Sequence, residues 1–300
     1  MNPSLVERTL GSITVHGMNA RTANAKDLAA MLQDSRARTL LLADAYVQAL
    51  GESLIVPRLD TLNPPLWELG HIAWFADHWL CSDAQRGFAS KAAYDALYDS
   101  SRVAHSTRWD LPLPDLAQTK TLLATSLQEI LQKLAQVDSD RAVQCDDALY
   151  FYRLALFHED MHAEAAIYSA AFLGIPIPQA LLRLPLQKRA LGAHALSVPA
   201  RSWLLGSSPQ DGFVFDNELG QHVVQLSAFE IDASAVTWRQ YLPFAKATGR
   251  PLALVQGGAD LDLNAAAVHL SLADAQAWCD WAGRRLPTEA EWRSEERRVG

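Results

Sequence analysis

Three hundred residues, 49% hydrophobic and 20% charged, make an ordinary globular chain long enough for two domains with separate cores. A net charge of −8 without a basic stripe argues against nucleic acid as the main partner. No apolar run reaches the roughly 18 residues of a membrane span, the amino terminus lacks a signal-peptide profile, and three scattered cysteines (Cys81, Cys145, Cys279) fit reduced thiols in a cytoplasmic protein.

Residues 1–24 read as a lead-in. From Asn24 the pattern turns helical, with Leu28, Met31, Leu32, Leu42 and Tyr46 near one face and Gly51 closing the segment. Asn63-Pro64-Pro65 opens a second helix, which runs to about Cys81 and carries His71 and His78. Residues 82–114 are expected to be irregular. Asp115 caps a third helix with a stripe of Leu116, Leu123, Leu127, Ile130, Leu131 and Leu134. A fourth is predicted from about Asp146 to Leu173, stopped by Gly174 and then Pro176 and Pro178. Four such helices over residues 25–178 predict a four-helix bundle.

Residues 179–200 read as a linker, and the character changes over residues 201–300. Short strands are predicted at Ser202–Leu205, Phe213–Phe215, Val223–Leu226 and Phe229–Ile231. Helices are predicted over Thr237–Thr248 and Leu272–Trp281. This mixture predicts an α+β domain.

The chemistry-bearing residues concentrate in the second and fourth helices. His158 and His162 stand at i and i+4, so their imidazoles share one helix face and can grip one metal ion. A histidine from the second helix would complete a facial set with open positions, which suits catalysis. His71 and His78 both compete for that role; they share nearly one face but lie about 10 Å apart along the axis. His158-Glu159-Asp160-Met161-His162 also matches the H-E-x-x-H pattern of zinc proteases, with Glu159 as base, yet the downstream third ligand of those enzymes is absent. Glu164 points about 200° around the helix from His162. It is expected to hydrogen-bond behind the ligands or to pack on a neighbouring helix, not to bind metal.

The stretch Asn63-Pro-Pro-Leu-Trp-Glu-Leu-Gly-His-Ile-Ala-Trp-Phe75 resembles the first-histidine helix of the DinB-like domain in ergothioneine-type sulfoxide synthases. His158-x3-His162-x-Glu164 matches that family's second signature. Phe215-Asp-Asn-Glu218, Phe229-Glu-Ile-Asp232, Val236-Thr-Trp238 and the block from Leu272 to Trp292 resemble the formylglycine-generating-enzyme-like domain that follows it. The resemblance implies one non-haem Fe(II) on His71, His158 and His162. It further implies O2-dependent joining of a sulfur or selenium donor, a thiol or a selenosugar, to the imidazole of hercynine or a similar acceptor. A thiol transferase using zinc or nickel at the same histidines, or a non-catalytic binding protein, is the alternative.

Where many ergothioneine synthases have a substrate-holding glutamine, this chain has Met161, whose thioether cannot donate a hydrogen bond. The contexts Leu154–Glu164 and Ser101–Trp109 look closer to the selenoneine synthase branch, with Arg102 and Arg108 as candidate donor-binding residues. The family's second domain normally continues well past Trp292, so the α+β domain is expected to be incomplete in this chain, which would bind metal but turn over little alone. Residues 293–300 read as foreign to the family pattern.

Overall fold

A computed structural model of the chain describes residues 20–137, 148–181, 195–252 and 261–296. It falls into two compact units. The first comprises residues up to Arg183 together with Pro209–Val214; the second comprises Leu184–Ser208 and the chain from Phe215 onward. The predicted lead-in, the residues near Asp146, most of the linker, Cys145 and residues 297–300 lie largely or wholly outside the described residues.

The first unit is helical. Helix α1 (Ala25–Leu50) starts where the Asn24 side chain accepts from the Asp27 amide and stops at Gly51, whose φ of 77° suits a residue without Cβ. Helix α2 (Pro65–Leu80) begins with proline in its first turn. The span expected to be irregular instead contains helix α3 (Lys91–Tyr98) and a 3₁₀ turn over His105–Asp110. Ser90 caps α3 through the Ala93 amide, and Tyr94 and Tyr98, four apart, bury their rings. Eight residues are too few to show a convincing period in sequence. Helix α4 (Leu116–Leu134) carries a capping box between Asp115 and Gln118. Helix α5 (Tyr150–Leu173) begins four residues after the expected start and ends at Gly174 in a left-handed cap.

Helix α2 lies against α3, α4 and α5, and α1 lies against α4 and α5. One core gathers Trp67, Ile72, Tyr94, Tyr98 and Leu123; another gathers Leu28, Leu32, Ile130, Leu134 and Leu156. Buried polar groups tie the helices together. Asp77 of α2 accepts from Ser126 of α4 at 2.8 Å and from both Arg86 Nε (2.8 Å) and Nη2 (2.6 Å). Arg36 of α1 makes a two-pronged bond to Glu159 of α5 at 2.7 and 3.0 Å, and Thr39 donates to the same carboxylate at 2.9 Å. Phe213 and Val214, expected in a strand, are buried residues of this unit instead. Phe213 packs its ring on Tyr150 and Phe157, and its amide and carbonyl bond to Arg21. That docking takes the backbone groups a strand would have spent on a ladder.

The second unit mixes helices with two small antiparallel sheets. Strand β1 (Ala195–Val198) pairs with β4 (Phe229–Asp232), and β2 (Arg201–Leu205) pairs with β3 (His222–Leu226). Strand β1 escaped the sequence reading because Ala195-Leu-Ser-Val198 shows no clear apolar–polar alternation and stops at Pro199. Helices α6 (Trp238–Thr248) and α7 (Leu272–Trp281) pack Trp238, Tyr241, Phe244, Trp278 and Cys279 into a third core. A short helix α8 (Glu289–Glu296) follows, opened by reciprocal bonds between Thr288 and Glu291. Among the described residues no helix is long and apolar enough to cross a membrane.

Candidate metal centre

Helix α2 brings His71, and α5 brings His158 and His162, to one place inside the first unit. One ligating nitrogen from each lies within 4.8 Å of the other two. The ring centroids are 5.0 Å apart for His71 and His158, 5.0 Å for His71 and His162, and 4.5 Å for the α5 pair. His158 and His162 approach through their Nε2 atoms at 3.2 Å. Two nitrogens bound about 2.1 Å from one ion at near-right angles stand roughly 3 Å apart, so this spacing suits a shared ligand set. His78, the rival on α2, is exposed and lies against Trp74.

The tautomers follow from the partners. His71 Nδ1–H donates to the Tyr98 carbonyl at 2.8 Å, and His162 Nδ1–H donates to Glu68 at 2.7 Å. A carbonyl and a carboxylate can only accept, so each ring carries a proton on Nδ1 and presents Nε2 to the other histidines. Hydrogen bonds of this kind orient metal-binding imidazoles and raise their basicity toward the ion.

Aromatic rings hold the imidazoles. His71 is buried and stacked between Trp67 (4.8 Å, 10°) and Trp74 (5.7 Å, 21°). His158 lies flat on Phe75 at 3.6 Å and 7°. Burial pushes His71 down to about 4, with the neighbouring His162 adding to the shift. Burial, reinforced by His162 and His71, pushes His158 down to about 2. Both rings are therefore neutral at physiological pH, the form that binds metal. Burial works to raise the Glu68 pKa, but the hydrogen bond and charge of His162, with the Asn63 bond, leave it net lowered.

Glu68 is the residue that sequence reasoning missed. Its spacing of three before His71, on one helix face, was the signal available. Glu164, expected behind the ligands, is exposed, and the carboxylate that holds a site imidazole is Glu68. A side chain two positions beyond His162 faces away from α2, whereas Glu68 on α2 faces His162. Asn63 Nδ2 donates to the second Glu68 oxygen at 2.6 Å, and Arg108 Nη1 donates to Asn63 Oδ1 at 2.7 Å. The Arg108 guanidinium also covers the Trp67 ring at 3.8 Å. Arg108 thus braces both the His71 and the His162 sides. Arg102 is not brought there; it is exposed and paired with Asp99 at 3.2 Å. Met161 is exposed on α5. Glu159, the base of a zinc-protease reading, is buried against Arg36 and Thr39, so it has no freedom to activate water at the histidines.

Comparison with known proteins agrees with a two-part chain. Residues 184–298 match the family model for the sulfatase-modifying factor enzyme 1-like domain. The chain is 26% identical over 302 residues to the hercynine oxygenase of Mycobacterium tuberculosis, covering 89% of this chain and 68% of that protein. It is 27% identical over 300 residues to the hercynine oxygenase of Mycolicibacterium thermoresistibile, covering 89% of this chain and 65% of that protein. A formylglycine-generating enzyme of Streptomyces coelicolor is 32% identical over 138 residues, 32% of this chain and 44% of that protein. The chain thus spans about two thirds of the length of the hercynine oxygenases it matches.

Proposed function

We propose that this chain acts in a non-haem iron oxygenase reaction that forms a C–S or C–Se bond on the imidazole of hercynine or a similar acceptor. The observation that carries the proposal is the convergence of His71, His158 and His162, with the first and last rings oriented by hydrogen bonds at Nδ1. Similarity to hercynine oxygenases along 89% of the chain supports it. On this reading the helical unit is a DinB-like four-helix bundle, and the second unit belongs with formylglycine-generating-enzyme-like domains.

Three imidazoles fit Fe(II), which when bound would supply open positions for O2 and for the chalcogen donor. The chain's own residues do the rest of the positioning. Glu68 and the Tyr98 carbonyl hold His162 and His71 in the Nδ1–H tautomer. Trp67, Trp74 and Phe75 exclude water from the ring faces. Arg108 and Asn63 keep the Glu68 carboxylate aimed at His162. Bringing donor and oxidant together at one centre removes much of the entropy cost of their encounter. The methionine at position 161 and the Ser101–Trp109 stretch support a selenosugar as donor over a thiol peptide. The His71, His158 and His162 set also suits the metal-dependent thiol transferases, but the sulfatase-modifying factor match over residues 184–298 favours the oxygenase reading.

Anaerobic loading of the protein with Fe(II) provides the test. The ferrous–nitrosyl EPR signal should change on adding hercynine and change again with a thiol or selenosugar. Oxygen uptake should require both organic substrates. A signal indifferent to hercynine and to every donor would overturn the assignment.

A further inference from the structure

Beside His162 lies a pocket of about 60 Å3, partly open to solvent and walled by α1, α2, α5 and the loop between α1 and α2. Its lining is chiefly hydrocarbon: Leu42, Val56, Leu69, Ile72, Ala166 and Leu173 among others. Leu54 also lines it, with its side chain buried and its backbone at a left-handed φ of 50°. A branched residue adopts that conformation only where its surroundings over-determine it. His162 and Glu68 form part of the same wall.

Most of the polar groups that line the pocket are already engaged; the half-buried Ser169 also lines it. Tyr46 donates to the Ala166 carbonyl at 2.7 Å, and Thr39 donates to Glu159 at 2.9 Å. Asn63 donates to Glu68 at 2.6 Å, and the other Glu68 oxygen accepts from His162 at 2.7 Å. A buried water needs about two to four polar partners, and this wall has spent most of its own. Enclosed apolar cavities stay dry and take up apolar guests, an engineered one of about 150 Å3 binding benzene or xenon, and the mostly hydrocarbon wall of this partly open pocket presents the same kind of surface. A space of about 60 Å3 holds a diatomic gas.

We propose that this cavity is a binding site for molecular oxygen, placed against the metal-binding His162. The inference rests on the oxygenase reading for its purpose, but its occupancy is testable without turnover. An apolar gas loses no hydrogen bonds on leaving water for such a space. A site here would raise the local concentration of O2 one side chain away from the histidine cluster.

The test is methyl-labelled NMR of the chain under increasing pressure of O2, and separately of xenon. Methyl groups of Leu42, Val56 and Ile72 should show relaxation under O2 and shifts under xenon that saturate with pressure. The exposed Ile55 methyls should respond only weakly and linearly. Ala166→Phe should fill the space and abolish the saturable response while leaving metal stoichiometry unchanged. If that variant fails to fold, the wild-type titration decides alone. Linear, surface-like responses at all three methyls, or water NOEs showing an ordered water in the cavity, would overturn the proposal. Saturable gas binding in a protein whose iron form consumes no O2 with any donor would instead defeat the oxygenase reading and leave a gas site of other purpose.

Discussion

Glu68 and His162 are 94 positions apart in the chain, and a single hydrogen bond of 2.7 Å joins them. The bond fixes which nitrogen of His162 faces His71 and His158. Removing it should therefore weaken metal binding without removing a ligand. Glu68→Ala is expected to lower metal affinity by about 10–100-fold. Glu68→Gln should lose much less, because its amide oxygen still accepts from Nδ1. Competitive chelator titrations of the three proteins check this; equal affinities for the wild type and the alanine variant would refute it.

The two histidines of α2 should separate cleanly. His71→Ala or His158→Ala is expected to abolish stoichiometric metal binding, whereas His78→Ala should retain it, since His78 is exposed and lies against Trp74. Metal analysis after gel filtration gives the answer. A His78 variant that lost its metal would show that the wrong α2 histidine had been assigned.

Gly70 leaves room for the Tyr98 ring, and a Cβ at that position would overlap it. Tyr98 is fully buried, and its carbonyl anchors His71. Gly70→Ala should destabilise the helical unit by about 1–3 kcal/mol, the usual range for overpacking. It should also weaken metal binding through the displaced anchor. Urea unfolding with a parallel metal titration measures both effects, and a variant as stable and as avid as the wild type would count against the packing described.

Arg36 and Glu159 form a buried ion pair beside His158. Removing one partner strands the other charge, so Glu159→Ala should cost about 3–5 kcal/mol in denaturant unfolding. A loss below about 1 kcal/mol, the size of an exposed pair, would contradict the pair's burial.

In the second unit, Glu291 accepts from Arg285 at 2.6 and 2.7 Å and from the Thr288 amide at 2.8 Å. The Arg285 bond first, with the Thr288 bonds, holds its carboxyl at about 2 against an ordinary value of 4.5, although burial works the other way. A carboxyl depressed on folding stabilises fully above its unfolded pKa and loses that contribution as pH falls through the folded one. The α8 cap should therefore hold at pH 5 and weaken between about pH 4.5 and 2. Amide hydrogen exchange at Thr288 and along α8 reads this out. Glu291→Gln should flatten the pH dependence; an unchanged profile would remove Glu291 from its cause.

The long helices were legible because each carries its own start and stop. Asn24 and Asp115 cap α1 and α4, Pro65 opens α2, and Gly174 closes α5. The i,i+4 relation of His158 and His162 was legible for the same local reason. Choosing His71 over His78 needed family resemblance, because periodicity put both on nearly one face. Helix α3 was missed because eight residues show little period. Strand β1 was missed because four residues without clear alternation give little signal, and the role of Glu68 because its partner His162 lies far along the chain. Phe213 was misread because its apolar neighbours resemble a strand, while what it satisfies is a docking contact with Tyr150, Phe157 and Arg21.

That docking ties the timing of folding to the order of synthesis. Phe213 is completely buried, yet it is made long after the helix α5 it packs on. At ~5–20 residues per second, the nascent chain must wait seconds after Leu173 before the plug emerges from the ribosome. Until then Tyr150 and Phe157 present an open apolar face. A gene fragment cut neatly after the last long helix would carry that exposed face permanently, and its poor solubility would reflect a missing six-residue patch, not an inability of the helices to assemble.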